Sequence, residues 1–274
     1  MSILWRTKYS AADKAKLLAS NRFDCVPPAN LANQFFLPDE DNHQSTIPED
    51  PQLMAKLGLA KSEKLHFFCA YTGDWARALS EHCIVHASDI SYQNAALLRS
   101  KKGKIRSVFR IAAQIAKLKQ HGPFDWSISY EPYPVTDPAG SFEHVLRLSL
   151  LNRRGLKMIF NAEPQNVTLM MDHSIPGRMS SFAKLYGAKF VLEERAIQTT
   201  TGPSLFRIYS LHTNGNARKL AGIDLFTDLH FHGAASKESV VSLAVSKLGI
   251  SAVDAEKSIR RVIKSRRTGM LTFG

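Results

Sequence analysis

Short apolar runs alternate with amphipathic helical patterns through the middle of this chain. The runs have the length of strands, and the segments between them have the length and period of helices. The expected strands are 65–70, 84–88, 107–111, 124–130 and 156–161, and the expected helices are 74–82, 92–100, 112–121 and 141–152. Strands that alternate with helices form right-handed parallel crossovers, so this part predicts a doubly wound parallel sheet.

The pattern changes after residue 161. A helix over 180–186 is followed by two strand-like runs, 189–198 and 205–212, with no helix between them. The link Thr199-Thr200-Thr201-Gly202-Pro203 is a turn signal, so the two runs predict an antiparallel hairpin. The expected fold class is α/β, a doubly wound, mostly parallel seven-stranded sheet with a C-terminal hairpin and a small helical C-terminal unit.

The two ends of the chain differ from the central domain, which we place at 61–213. Residues 1–60 predict a helical and irregular extension, broken by five prolines between residues 27 and 51. Residues 214–274 predict a basic helical unit, and its first residues, 214–216, are expected to form a linker. Alternating His230 and His232 have no third ligand nearby, so we interpret them as strand positions and expect no metal.

The C-terminal unit contains two amphipathic patterns, 236–248 and 252–266, which are joined by a glycine turn at 249–251. A helix, a short turn and a basic second helix resemble half of a helix-turn-helix. The alternative is a helical hairpin that packs on the main domain, and its helices are also a candidate surface for a protein partner.

Charge indicates a polyanionic partner, since the net charge is +12 and the isoelectric point is near 9.7. The cations concentrate in two segments without acids, 99–119 and 257–274. We expect these segments to bind nucleic acid, with RNA favoured over DNA; the alternative is a solvated face. The residues expected to contact nucleic acid are Lys101, Lys102, Lys104, Arg106, Arg260, Arg261, Lys264, Arg266 and Arg267.

Three cysteines without a C-x-x-C spacing predict neither a zinc site nor a disulfide framework and suit a reducing compartment. The first residues lack the apolar core of a secretory signal, and no apolar run is long enough to span a bilayer. We therefore expect a cytoplasmic protein without a membrane partner.

The most informative motif runs from Cys69 to Leu79, CAYTGDWARAL, at the end of the first expected strand. Gly73 ends a turn that enters a helix, and Asp89 lies 16 residues later at the tip of the next strand. This arrangement resembles the start of class I, Rossmann-like S-adenosylmethionine-dependent methyltransferases. The resemblance implies that the turn holds the methionine part of the cofactor and that Asp89 accepts hydrogen bonds from the ribose hydroxyls.

The motif departs from the pattern of that superfamily at three positions. Cys69 and Tyr71 occupy places where glycines alternate with Gly73, and Phe67 replaces an acid. The altered turn either binds the cofactor in a changed way or is a vestige on a binding scaffold. The residues expected at S-adenosyl-L-methionine are Cys69, Ala70, Tyr71, Thr72, Gly73, Asp74, Asp89, Ile90, Ile111 and Tyr130.

The fourth expected strand ends in Glu131-Pro132-Tyr133, where the substrate meets the methyl group in this superfamily. The segment loosely resembles the Asp/Asn-Pro-Pro-Tyr/Phe motif of enzymes that methylate amines in nucleic acids. The resemblance implies that Glu131 and Tyr133 are catalytic, with Glu131 orienting or deprotonating the acceptor and a tyrosine stacking on it. The alternative is a rigid loop after a strand.

Three hypotheses follow. The first is a methyltransferase that acts on RNA or DNA. The second is a catalytically silent protein of the same fold that binds nucleic acid or a protein. The third is a small-molecule methyltransferase with residues 27–51 as a lid. The high positive charge argues against this third hypothesis.

Overall fold

A seven-stranded mixed sheet forms the centre of the protein, in a computed structural model that describes residues 47–89, 92–109, 122–132, 142–162, 174–231 and 236–267. The strand order is β3-β2-β1-β4-β5-β7-β6. The strands are β1 (Lys64–Phe67), β2 (Ile84–Ser88), β3 (Ser107–Phe109), β4 (Trp126–Tyr130), β5 (Gly155–Asn161), β6 (Lys189–Thr199) and β7 (Gly202–His212).

The first five strands are parallel to one another, and β7 is antiparallel to both β5 and β6. This arrangement confirms the predicted fold class, including the hairpin, whose pairing runs from Lys189 opposite His212 to Thr199 opposite Gly202. The chain leaves β1 toward β2 on one side and reaches β4 on the other side. The boundary between β1 and β4 is therefore the point at which the strand order reverses.

Helices cover both faces of the sheet. Those in the described residues are α1 (Leu53–Lys56), α2 (Asp74–Ser80), α3 (Tyr92–Ser100), α4 (Phe142–Ser149), α5 (Ser174–Tyr186), α6 (Gly215–Phe231), α7 (Lys237–Leu248) and α8 (Ala252–Arg267). One apolar cluster joins the strands to α1 and α2 and includes Leu65, Trp75 and Leu79. The cluster on the opposite face joins the strands to α4, α5 and α6 and includes Phe142 and Met158.

Most predicted strand bounds agree with the structure within about two residues, but β7 begins at Gly202 rather than at 205 and α5 begins at Ser174 rather than at 180. The first strand also differs. β1 ends at Phe67 rather than at residue 70, because Cys69 adopts a left-handed backbone conformation that breaks the strand. Trp75, Trp126 and Phe68 are buried in the apolar clusters. The expected helix over 112–121 and most of the extension over 1–60 lie outside the described residues.

The predicted linker at 214–216 is wrong, because it is the start of helix α6. The Asn214 side chain caps this helix, with its Oδ1 accepting a hydrogen bond of 2.9 Å from the Ala217 N–H. The interpretation of His230 as a strand residue is also wrong, since α6 continues to Phe231. His232 lies outside the described residues.

A buried polar group ties α6 to the sheet domain. The Asp224 carboxylate accepts hydrogen bonds from Arg147 of α4 at 2.8 Å and from the Tyr186 hydroxyl of α5 at 2.6 Å. Arg147 and Asp224 are both buried, so their charges balance each other away from water. Within the described part of the chain, no helix is long and apolar enough to cross a membrane.

Candidate functional site

The candidate site lies at the carboxyl ends of β1, β2 and β4. In an open α/β sheet, ligands bind in the crevice outside the carboxyl ends of the strands where the strand order reverses. Here that place is between β1 and β4. The turn after β1, Asp89 after β2 and Glu131 after β4 all follow the ends of these strands.

The turn after β1 has an alternating left-handed backbone. The φ angles are 49° at Cys69, 50° at Tyr71 and 85° at Gly73. These are the three positions at which the resemblance implies glycine. The backbone thus keeps the conformation of a three-glycine turn although two of its residues carry side chains. Left-handed conformations of other residues cost about 1–3 kcal/mol each and concentrate at functional sites.

Gly73 leaves little room for a side chain, and its φ angle of 85° favours glycine. A Cβ atom there would lie 2.3 Å from Leu98 Cδ2 of α3. Behind the turn, Arg77 Nη1 donates hydrogen bonds to the carbonyl oxygens of Thr72 at 2.8 Å and Lys101 at 3.3 Å. Arg77 Nη2 also pairs with Asp74. The arginine therefore fixes the turn and links it to the loop after α3.

Asp89 lies at the tip of β2 and is 3% exposed. Its Oδ2 accepts a hydrogen bond of 3.0 Å from the Tyr71 backbone N–H, and its Oδ1 accepts one of 3.2 Å from Asn94 Nδ2. The carboxylate thus joins the two strand ends that the resemblance assigns to the cofactor. Its observed partners are the turn and α3.

The Tyr71 side chain is half-buried in this group of acids. Burial, together with smaller contributions from Cys69, Asp89 and Glu131, raises the pKa of Tyr71 to about 12. The phenol therefore keeps its proton at neutral pH and acts as a hydrogen-bond donor.

Glu131 ends β4 in a left-handed conformation, with a φ angle of 44°. Its Oε1 accepts a hydrogen bond of 3.3 Å from the Asn161 N–H at the end of β5. The preceding residue, Tyr130, stacks on Trp75 of α2 with ring centroids 4.9 Å apart. Tyr130 thus contributes to the wall between β4 and α2.

Sequence reasoning missed two positioning residues, Arg77 and Asn94. Arg77 lies four residues after Gly73, one helical turn from the end of the turn, and this spacing was the available signal. Asn94 lies five residues after Asp89, a spacing that carries no recognised signal. The expected site residues Ile90, Ile111 and Tyr133 lie outside the described residues.

The basic residues expected at nucleic acid fall into two groups. Lys101, Lys102, Lys104 and Arg106 are exposed in the loop between α3 and β3, where Lys104 pairs with Glu81. Arg260, Arg261 and Lys264 are exposed on α8. Arg266 and Arg267 belong to the same helix. Among the described residues, no three His, Cys, Asp or Glu side chains form a group that could hold a metal ion.

The sheet has the strand plan of the class I methyltransferase fold. No protein-family model matches the chain, and no curated protein matches it. Several solved structures are similar. One is an S-adenosylmethionine-dependent methyltransferase from Aquifex aeolicus, 12% identical, with 74% of this chain and 99% of that chain covered and a TM-score of 0.42.

Two further solved structures are similar to the same degree. Magnesium protoporphyrin IX methyltransferase from Synechocystis with bound S-adenosylmethionine is 14% identical, with 76% and 100% of the two chains covered and a TM-score of 0.40. Precorrin-6y C5,15-methyltransferase from Geobacter metallireducens is 13% identical, with 64% and 97% covered and a TM-score of 0.40. Because these TM-scores are below 0.5, the strand order and not this likeness carries the fold class.

Proposed function

We propose that this protein binds S-adenosylmethionine at the carboxyl ends of β1, β2 and β4 and methylates a nucleic acid. The observation that supports cofactor binding is the left-handed backbone at residues 69, 71 and 73. Strained backbone of this kind concentrates at functional sites. Two strained residues at this turn favour a ligand that approaches its backbone closely.

The residues present fit the cofactor. The turn over 69–73 would hold its amino-acid part, and Asp89 would accept a ribose hydroxyl. A carboxylate has about four acceptor positions, so holding the Tyr71 N–H and accepting a hydroxyl are compatible roles. When bound, the cofactor supplies an electrophilic methyl group. Glu131 would then hold the acceptor or take its proton, because the hydrogen bond from Asn161 fixes its carboxylate at the tip of β4.

The nucleic-acid substrate is supported by charge. The exposed cations of the 101–106 loop are connected to the turn through Arg77, which bonds the carbonyls of both Thr72 and Lys101. A polyanion bound to this loop would therefore lie near the candidate site. Further exposed cations lie on α8.

A transfer assay tests the proposal. The protein is incubated with S-adenosylmethionine that carries a tritiated methyl group, together with RNA or duplex DNA. We expect acid-precipitable label with the natural protein and at least a tenfold loss with Asp89→Asn, while Glu49→Gln, which removes a charge from an exposed position away from the site, keeps the activity. Cofactor binding without label in any nucleic acid would contradict the proposed substrate.

A second candidate function is a cofactor-free binding protein of the same fold. The observation that favours it is the presence of the Cys69 and Tyr71 side chains in the turn. This function predicts binding to nucleic acid with a steep salt dependence and no response to the cofactor.

A further inference from the structure

The C-terminal helices pack as a three-helix cluster with its own apolar centre. This cluster is separate from the two that cover the sheet. It consists of Ile223 and Phe226 of α6, Val240 and Ala244 of α7, and Ala255, Ile259 and Val262 of α8. A Cβ atom at Gly222 would lie 2.4 Å from Leu248 Cδ2, so α6 and α7 approach closely. A compact unit of this kind can present one helix rigidly.

The connection between α7 and α8 is a tight turn of three residues, 249–251. Gly249 ends α7 in a left-handed conformation with a φ angle of 63°. Ser251 caps α8, because its Oγ accepts a hydrogen bond of 3.1 Å from the Asp254 N–H. Two helices joined by a three-residue turn with a glycine, packed on a preceding helix, have the connectivity of a helix-turn-helix.

The outer face of α8 carries a basic stripe, which we define as Lys257, Arg260, Arg261 and Lys264. All four residues are exposed. Their spacing is i, i+3, i+4 and i+7, so they lie on one face of the helix. Ala255, Ile259 and Val262 are buried on the opposite face. Arg260 also pairs with Glu256 one turn earlier. The stripe spans about 10 Å along the helix.

The exposed face of α7 differs from that of α8. It carries the hydroxyl groups of Ser239, Ser242 and Ser246. Serine hydroxyls donate to phosphate oxygens in protein–DNA complexes and carry no repulsive charge. Ser246 Oγ donates to the Leu243 carbonyl within α7, and Glu238 is exposed on the same helix. The charge that favours a polyanion therefore lies on α8.

We infer that α6, α7 and α8 dock the protein on duplex DNA, with the basic stripe of α8 facing the major groove. The major groove of B-form DNA is about 12 Å wide and admits an α-helix. The deep, narrow major groove of an RNA duplex does not admit side chains in this way. This inference specifies duplex DNA as the nucleic acid of the proposed function. It therefore rests on the proposed binding of nucleic acid, but it does not depend on cofactor binding.

The test compares two triple variants of the full-length protein. K257Q/R261Q/K264Q removes three charges from the stripe. K61Q/K184Q/K189Q removes three charges from exposed positions outside α6, α7 and α8. Binding to a fluorescent 25-base-pair DNA duplex is measured by anisotropy between about 50 and 200 mM salt, the range over which counterion release changes affinity strongly. Circular dichroism checks that both variants keep their helices.

We expect the stripe variant to bind duplex DNA about tenfold or more weakly, with the slope of log K against log salt reduced by roughly 2–3. The control variant should keep most of the affinity for duplex DNA and most of the salt dependence. Equal losses in the two variants, no measurable binding to duplex DNA, or tighter binding of a matched RNA duplex would overturn the inference. Titration with S-adenosylhomocysteine is run in parallel: a protein that binds DNA through the stripe but not this ligand refutes the proposed activity alone.

Discussion

The backbone N–H of Tyr71 donates a hydrogen bond of 3.0 Å to the buried carboxylate of Asp89. This contact joins the turn after β1 to the tip of β2. It also places a negative charge beside a backbone that is left-handed at Tyr71. The two features that the sequence indicates separately, an altered glycine turn and an acid one strand later, are thus parts of one hydrogen-bonded group.

Replacing Asp89 should lower the stability of the protein, because this hydrogen-bonded group loses its acceptor. Asp89→Ala leaves the Tyr71 N–H without its acceptor, and we expect the free energy of unfolding to fall by roughly 1–3 kcal/mol. Asp89→Asn keeps an acceptor oxygen but turns an amide NH₂ toward Asn94 Nδ2, so its loss should be smaller. Urea denaturation measures both. Equal stability of Asp89→Ala and the natural protein would show that the contact is not important for folding.

Gly73 should tolerate no side chain. Gly73→Ala brings a Cβ within 2.3 Å of Leu98 Cδ2 at a φ angle of 85°, so we expect a loss of about 2 kcal/mol or more. Gly177→Ala is the matched control, because a Cβ at this helical position meets nothing within 4 Å. It should be neutral or stabilising by up to about 1 kcal/mol. Similar melting temperatures for the two variants would refute the described packing.

Substitutions at Tyr71 can separate the energetic cost of its left-handed backbone from the contribution of its side chain. Tyr71→Gly and Tyr71→Ala both remove the ring, but only glycine relieves the left-handed conformation. We expect the glycine variant to be more stable than the alanine variant by about 1 kcal/mol. At Thr72, whose φ angle is not positive, alanine should be the more stable of the pair. If the glycine and alanine variants ranked in the same order of stability at Tyr71 and at Thr72, the result would argue against strain in the turn.

The sheet was largely predictable from the sequence because its strands are short, apolar and separated by helices. The bounds of β2 and α3 agree with the prediction to the residue. Helix α6 was not predictable in the same way. Its apolar residues face two different clusters, with Ala217 and Ala221 toward the sheet domain and Phe226 toward α7 and α8. No single apolar stripe therefore marks it as a helix.

The site was predictable in its location but not in its geometry. Gly73 and Asp89 follow from motif and spacing. The left-handed conformations of Cys69 and Tyr71 do not, because residues other than glycine seldom adopt them. The pairing of Lys104 with Glu81 is another relationship that only the fold creates.

Lys157 should make stability depend on pH. Burial lowers the pKa of this lysine to about 8, while an unfolded lysine has a pKa of about 10.4. Between these values the unfolded chain binds more protons, so the free energy of unfolding rises with pH. Relative to Lys157→Met, we expect the natural protein to gain on the order of 2 kcal/mol from pH 8 to pH 10.

The comparison with Lys157→Met isolates this effect. Burial raises the pKa of the Cys83 thiol to about 11, which lowers stability over part of the same range, but both proteins contain Cys83. Urea denaturation at each pH supplies the measurement. Parallel pH profiles for the two proteins would show that Lys157 is not held in the low-dielectric contact with Trp126, 4.3 Å from the ring centroid.

The most direct test of the proposed cofactor site is calorimetric titration of S-adenosylhomocysteine into the natural protein, Asp89→Ala and Gly177→Ala. If the turn after β1 and Asp89 form the site, the natural protein and Gly177→Ala bind the ligand with similar affinity. Asp89→Ala then binds at least tenfold more weakly. No heat of binding at millimolar ligand in the natural protein, or equal affinity in all three proteins, would contradict the account.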